Sequence, residues 1–370
     1  MPSYKMISSD SHVIEPPDLW TSRVNPNILE RAPRVVHDDD ADYWYVDGIK
    51  SMSFHAGSQA GDRFDDPQAL KLTDRWENVR PGGYIPDEFI KDSEIDGVEA
   101  SILYPSEGLV LFDIPDGRLL DVLFSIYNDW SSEFCSAYPS HLKGIAMINL
   151  DDVKVGVEEL RRVNQMGMVG AMISVFPDRS KGYQNPIYDP FWAAAQDLDM
   201  PLSLHVATNR AIPDAPFGFL DQSPAEFACL DYYVRVSLGN MVFGGVFERF
   251  PDLKVLSVEH ELAWAPSFIE RMDLVYSQRP RGQQLPRFKN DMMPSDFFRK
   301  NIFLSFQEDM FGMMFRDVIG VDNLMWGSDY PHPESTFPKS QQIVDAVFEG
   351  VPDDQRRKIL RDNAARIYHI

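Results

Sequence analysis

Short apolar runs recur along this chain, each followed by a longer stretch in which apolar positions return every three or four residues. The runs fall at residues 4–12, 100–105, 142–150, 169–176, 201–207, 253–260, 302–307 and 324–329. Segments of this length, most of them rich in β-branched or apolar residues, predict strands of a parallel sheet buried on both faces. Helical spacing between them predicts helices at 118–137, 153–166, 189–197, 224–249, 265–276, 310–318 and 341–348, and an amphipathic segment at 353–367 closes the chain. Eight strands alternating with helices predict a single α/β unit over residues 1–370: a (β/α)8 TIM barrel rather than a doubly wound sheet.

One region breaks the rhythm. Residues 21–95, rich in Pro, Gly and Asp, separate the first strand from the second. Inside them, 34–37 and 42–46 flank an acidic turn (Asp38, Asp39, Asp40, Ala41) and predict a β-hairpin. The segment has few apolar runs from which to build its own core, so it is expected as an insertion at the barrel mouth. There it would shape the substrate pocket and a dimer contact, with Tyr43, Trp44 and Tyr45 covering a cyclic substrate. A second insertion, residues 277–294, is Pro- and Arg-rich and is expected to share that role.

Composition narrows the possible partners. Hydrophobic residues make up 44% of the chain, enough for a large core, which excludes a disordered protein. A formal net charge of −22 argues against nucleic acid and anionic membrane, but not against an anionic substrate where a bound cation sets the local sign. Cys135 and Cys229, both among apolar neighbours, are expected as buried thiols rather than a disulfide or a zinc site. With no basic leader and no apolar run near the ~20 residues that span a bilayer, a soluble cytoplasmic protein is expected.

The chemistry gathers where the apolar runs stop. Asp10 and His12 end the first run, His205 the fifth, His260 the sixth and Asp329 the eighth, in Trp-Gly-Ser-Asp-Tyr-Pro-His. Imidazoles and carboxylates at the C-terminal ends of successive barrel strands are what a divalent metal at the mouth requires. Asp10 and His12 lie two apart on a strand and so share a face, where burial is costly unless they are paired or metal-bound. Each also has a structural reading: Asp10 as a turn cap, and His12 and His205 as core histidines satisfied by neighbours. His260, flanked by Glu259 and Glu261, reads as an acid/base or as a ligand. Glu15, Glu308 and Asp309 add carboxylates at the rim, and His332 is the one other histidine expected near the site. His37, His55, His141 and His369 are expected at the surface.

Asp-Ser-His-Val-Ile-Glu-Pro, Leu-His-Val, Val-Glu-His and Gly-Ser-Asp-Tyr-Pro-His, with Asp-Asn-Ala-Ala-Arg-Ile-Tyr near the C-terminus, together resemble the amidohydrolase superfamily. The resemblance is to the branch that holds aminocarboxymuconate-semialdehyde decarboxylase and the resorcylate-type decarboxylases. It implies a barrel with one catalytic divalent ion, Zn, Mn or Fe, with His205 as the fifth-strand ligand and Asp329 as the eighth-strand ligand or base. It also implies His260 as acid/base or ligand. Asp10 and His12 complete the expected metal set, with Glu15, Glu308 and His332 as further ligands or supporting groups. Two departures stand out. Many relatives begin with His-x-His, whereas here Asp10 replaces the first histidine or Ile14 the second. The fourth strand also lacks the lysine that bridges two metals in dinuclear members.

The leading expectation is hydrolysis or non-oxidative decarboxylation of a small cyclic or carboxylate-bearing substrate, with hydrolysis slightly preferred. The metal would activate a water or polarise substrate oxygens, and Asp329 or His260 would move the proton. The alternatives are a dinuclear Fe or Mn oxygenase on the same barrel and a ligand-binding barrel without catalysis. A homodimer is the expected assembly.

Overall fold

In the computed structural model, residues 4–210, 223–278 and 287–370 are described. Residues 279–286 of the second insertion lie outside them. The eight apolar runs form eight parallel strands: β1 (Met6–His12), β5 (Val98–Tyr104), β6 (Leu142–Met147), β7 (Gly170–Ile173), β8 (Leu202–His205), β9 (Val255–Val258), β10 (Ile302–Phe306) and β11 (Leu324–Trp326). They pair in that order, each parallel to the next, as a (β/α)8 barrel requires. Every residue of all but two of these strands is buried, since helices cover the outside and side chains fill the inside.

Between the last strand and the first, hydroxyls and single backbone contacts take over from a ladder. Ser9 Oγ donates to the Trp326 carbonyl at 2.9 Å and meets Ser305 Oγ at 2.7 Å. The Ser328 N–H donates to Ser8 Oγ at 2.9 Å, and the Asp329 N–H to the Asp10 carbonyl at 2.9 Å. Gly327 allows this approach, because a Cβ there would lie 2.6 Å from the Asp10 Cβ.

The predicted hairpin forms over its predicted bounds, β2 (Arg34–His37) against β3 (Asp42–Val46), and a third strand that the pattern did not show, β4 (Ile49–Ser53), extends it. Trp44 is 2% exposed and packs on Trp20 and Phe54, each ring 5.5 Å away, so it belongs to the core rather than to a substrate cover. Helix Pro86–Asp96, also unpredicted, ends the insertion. Its Asp92 takes two hydrogen bonds from Arg80 (2.7 and 2.6 Å) and one from Tyr330 Oη at 2.5 Å. The insertion is thereby tied to the residue that follows Asp329. The predicted helix 224–249 is three pieces, Pro224–Phe227, Asp231–Phe243 and Val246–Arg249, with left-handed Gly245 at the last break. Cys135 is buried as expected, but Cys229 is exposed, because it sits in the turn between the first two pieces.

Asp96, at the end of that same helix, is buried and accepts the Ser340 N–H at 3.0 Å. Burial pushes its carboxyl up to about 6. The folded protein therefore holds this proton more tightly than the unfolded chain. The resulting stability is present in acid and is lost as pH rises through about 6. The group is expected to contribute about 3 kcal/mol of that decline. Urea unfolding of the wild type and Asp96→Asn from pH 4 to 8 checks this, since the difference between the two should change within that window and be flat above it.

Candidate metal centre

β1 delivers Asp10 and His12, β8 delivers His205, and the residues just past β9 and β11 deliver Glu259 and Asp329. His12 Nε2 lies 3.5 Å from Asp10 Oδ1 and 3.2 Å from Asp329 Oδ1. His205 Nε2 lies 3.6 Å from Asp10 Oδ1 and 3.5 Å from Glu259 Oε2. Most of these gaps exceed a good N–H···O hydrogen bond. They match the edge of a coordination polyhedron, because two ligand bonds of about 2.1 Å at 90–110° hold their donors about 3.0–3.5 Å apart. Each of these five atoms is buried and lacks a hydrogen-bond partner. Buried polar atoms are rarely left so, and here the five fall in two groups that share His12: Asp10, His12, His205 and Glu259, and His12 and Asp329 with His332. Nitrogen and oxygen donors at this spacing fit Zn, Mn or Fe.

Local backbone aims the two loop carboxylates. Glu259 and Asp329 both sit at positive φ, +62° and +58°, as does Ala207 past β8 at +66°. A non-glycine residue there costs about 1 kcal/mol or more, and such outliers concentrate where a site demands a direction the strand does not provide. The imidazoles are fixed from behind. His12 Nδ1 is 2.7 Å from the Pro105 carbonyl, and His205 Nδ1 is 3.1 Å from the Val206 carbonyl, which leaves each Nε2 free to face the cluster.

The electrostatics are those of buried carboxylates and imidazoles packed against one another. Burial would raise the Asp10 carboxyl, but His12 and His205 outweigh it and hold it below its usual range. Burial raises Asp329 as well, and His332 and His12 more than reverse that. His12 is held well above its usual range because Asp10 and Asp329 outweigh the burial that disfavours its charge. Burial, then the charges of Asp329 and Asp10, push Glu259 far up.

The other expected residues divide. His332 belongs with the cluster: it stacks on His12 at 4.0 Å, brings Nδ1 to 3.0 Å from Asp329 Oδ1 and holds Ser106 Oγ through Nε2 at 2.9 Å. His260 is buried beside the cluster with Nδ1 3.2 Å from Ser257 Oγ. Its Nε2 has no partner, and burial with His205 alongside pushes it down to about 3, so the ring is neutral. Glu15 turns away, accepting the N–H groups of Ser106, Glu107 and Gly108 at 2.9–3.2 Å and so anchoring the loop that carries the partner of His332. Glu308 also lies elsewhere, part-exposed in an ion pair with Arg63 of the insertion, because the chain past β10 runs outward over the rim. Asp309 caps helix Met310–Met314. His55, expected at the surface, is instead half-buried, with an unpartnered Nδ1, and burial, with His332 adding to it, lowers its pKa.

Two cavities open at the strand ends. One, of about 320 Å³, is lined by His260, Val206, Ala207, Asn209 and Tyr233. The other, of about 730 Å³, shares Asn209 and Tyr233 with it and continues over the ends of β6 and β7 to Phe176 and Tyr183. Together they place a mixed apolar and polar chamber beside the ring of donors.

A parallel eight-stranded barrel with a buried His and carboxylate ring at its C-terminal mouth defines the class: a metal-centred barrel of the hydrolase and lyase type. A family model described as amidohydrolase matches residues 113–370. The chain belongs to the amidohydrolase family. Gamma-resorcylate decarboxylase from Rhizobium sp. (strain MTP-10005) is 26% identical over 300 residues, covering 77% of this chain and 88% of that protein. The 2-amino-3-carboxymuconate-6-semialdehyde decarboxylase of Dictyostelium discoideum is 26% identical over 285 residues, 75% of each chain. These relatives bear out the motif resemblance to the decarboxylase-containing branch. Among solved structures, an amidohydrolase from Mycobacterium avium subsp. paratuberculosis K-10 superposes with a TM-score of 0.82 at 22% identity, over 100% of this chain and 99% of its own. A dihydroxybenzoic acid decarboxylase from Polaromonas sp. JS666, solved with bound manganese and 2-nitroresorcinol, has a TM-score of 0.67 at 19% identity over 99% and 97% of the two chains. No described helix is long and apolar enough to cross a membrane.

Proposed function

We propose that this protein is a metal-dependent, non-oxidative decarboxylase of a small aromatic or cyclic carboxylate. The observation that carries the reading is the cluster of unpartnered donors from Asp10, His12, His205 and Asp329, which lies beside a chamber lined by His260 and of a size for one substituted ring. Hydrolysis was slightly favoured on sequence; the decarboxylases among the relatives move the preference. The bound cation would supply Lewis acidity and hold substrate oxygens in place. The chain's own residues do the rest. The bond to the carboxyl carbon breaks, CO2 leaves with the ring carbon keeping the electron pair, and that carbon takes a proton. Asp329 through an Oδ, or His260 through Nε2, is placed to carry it. Tyr233 and Phe176 give the chamber apolar walls against which a ring could pack.

The test is direct. Protein loaded with Mn²⁺ is expected to release CO2 from ortho-hydroxylated benzoates, to place deuterium from D2O at the vacated carbon and to lose both with a chelator. Cleavage of an amide or lactone without CO2 would favour hydrolysis. Two Fe or Mn per chain with oxygen uptake would favour an oxygenase.

A further inference from the structure

Two side chains follow one another past β9, Glu259 and His260, and they face different things. Glu259 Oε2 lies among the ligand atoms of Asp10, His12 and His205, all within 4.8 Å of one another. His260 Nε2 is outside that group, and its ring lines the 320 Å³ cavity with Val206 and Ala207. We infer that Glu259 is a direct ligand of the ion beside Asp10, His12 and His205, and that His260 is turned to the substrate. This rests on the metal-centre reading above.

The ordinary explanation for a carboxylate beside a histidine is a hydrogen-bonded pair, and it does not fit here. His205 offers one nitrogen to the cluster, Nε2, because Nδ1 faces the Val206 carbonyl. That single nitrogen stands 3.6 Å from Asp10 and 3.5 Å from Glu259, beyond hydrogen-bond length from both. No described donor reaches Glu259 Oε2. Two carboxylates, Asp10 and Glu259, consequently meet the imidazole nitrogens of His12 and His205, while Asp329 meets His12 in an overlapping group with His332. An added carboxylate oxygen from Glu259 would favour Mn²⁺ or Fe²⁺ over Zn²⁺.

Metal binding rather than turnover tests this. Metal-free protein is titrated with Mn²⁺ by calorimetry, and Co²⁺-loaded protein is read by its visible absorption, which follows ligand number. Glu259→Gln is expected to weaken Mn²⁺ more than about a hundredfold, beyond the 10–100-fold typical of a group that only supports a ligand. It is also expected to change the Co²⁺ spectrum. His260→Asn should stay within about threefold of wild type with an unaltered spectrum. Glu259→Asp, which keeps the charge but withdraws it by one methylene, should alter the spectrum too, and it serves if the glutamine variant folds poorly. A Glu259→Gln protein with wild-type affinity and spectrum would overturn the assignment, as would effects confined to His260→Asn. If wild type binds no divalent ion, and His205→Ala behaves like it, the metal-centre reading itself fails.

Discussion

His205→Ala is expected to lose bound metal and turnover together. The side chain is wholly buried, its Nδ1 is held at the Val206 carbonyl, and its Nε2 faces Asp10 and Glu259. Alanine removes a ligand and leaves two carboxylates across an apolar gap, so metal affinity should fall by more than the 10–100-fold seen for groups that merely orient ligands. Elemental analysis of protein purified with Mn²⁺, beside CO2 release from the same sample, reads both effects. An active, metal-replete His205→Ala protein would remove this residue from the centre. His260→Ala is the control, expected to keep the ion and lose turnover.

The second large effect is expected at Asp329. Its Oδ1 is approached by His12 at 3.2 Å and His332 at 3.0 Å, and its backbone is held left-handed. Asparagine keeps the shape, but it removes the charge that both imidazoles lean on and the ability to carry a proton. General acid/base groups contribute about 10²–10⁴-fold, so kcat for Asp329→Asn should fall by about 10³ in metal-loaded protein. His332→Ala should cost less, because it acts only by holding Asp329. A kcat for Asp329→Asn within tenfold of wild type would leave the proton with His260. The centre also binds metal in competition with protons on His12 and Glu259, so Mn²⁺ affinity should weaken as pH falls.

How much of this was legible in the chain follows from what each signal depends on. Seven of the strands announced themselves as near-continuous apolar runs, as buried parallel strands do, and the first by its polar end, where the two-residue spacing of Asp10 and His12 placed both on one face. His205 and Asp329 were visible as polar residues ending such runs. Glu259 was not, although it is adjacent to His260. Strand alternation groups Leu256, Val258 and the next even position, which is His260. The left-handed backbone at Glu259 and Glu261 breaks that parity, and no pattern of apolar residues encodes it. Glu308 failed for the opposite reason: it follows β10 directly, but its partner Arg63 comes from the insertion, a contact between distant parts of the sequence. Helix Pro86–Asp96 had usable signals, Pro86 at its first turn and Gly97 at φ +77° just past its end, inside a segment too acidic to show a clear apolar stripe.

The hydroxyl-lined junction between β11 and β1 has a consequence for assembly. Ser8 and Ser328 stand 320 residues apart in the chain, and Asp10 and Asp329 come together only when those strands meet. A chain that stops before the last strand lacks Asp329 and the seam that holds it beside Asp10, so the cluster forms only in a barrel closed at this junction, where serine hydroxyls and single backbone hydrogen bonds stand in for a ladder.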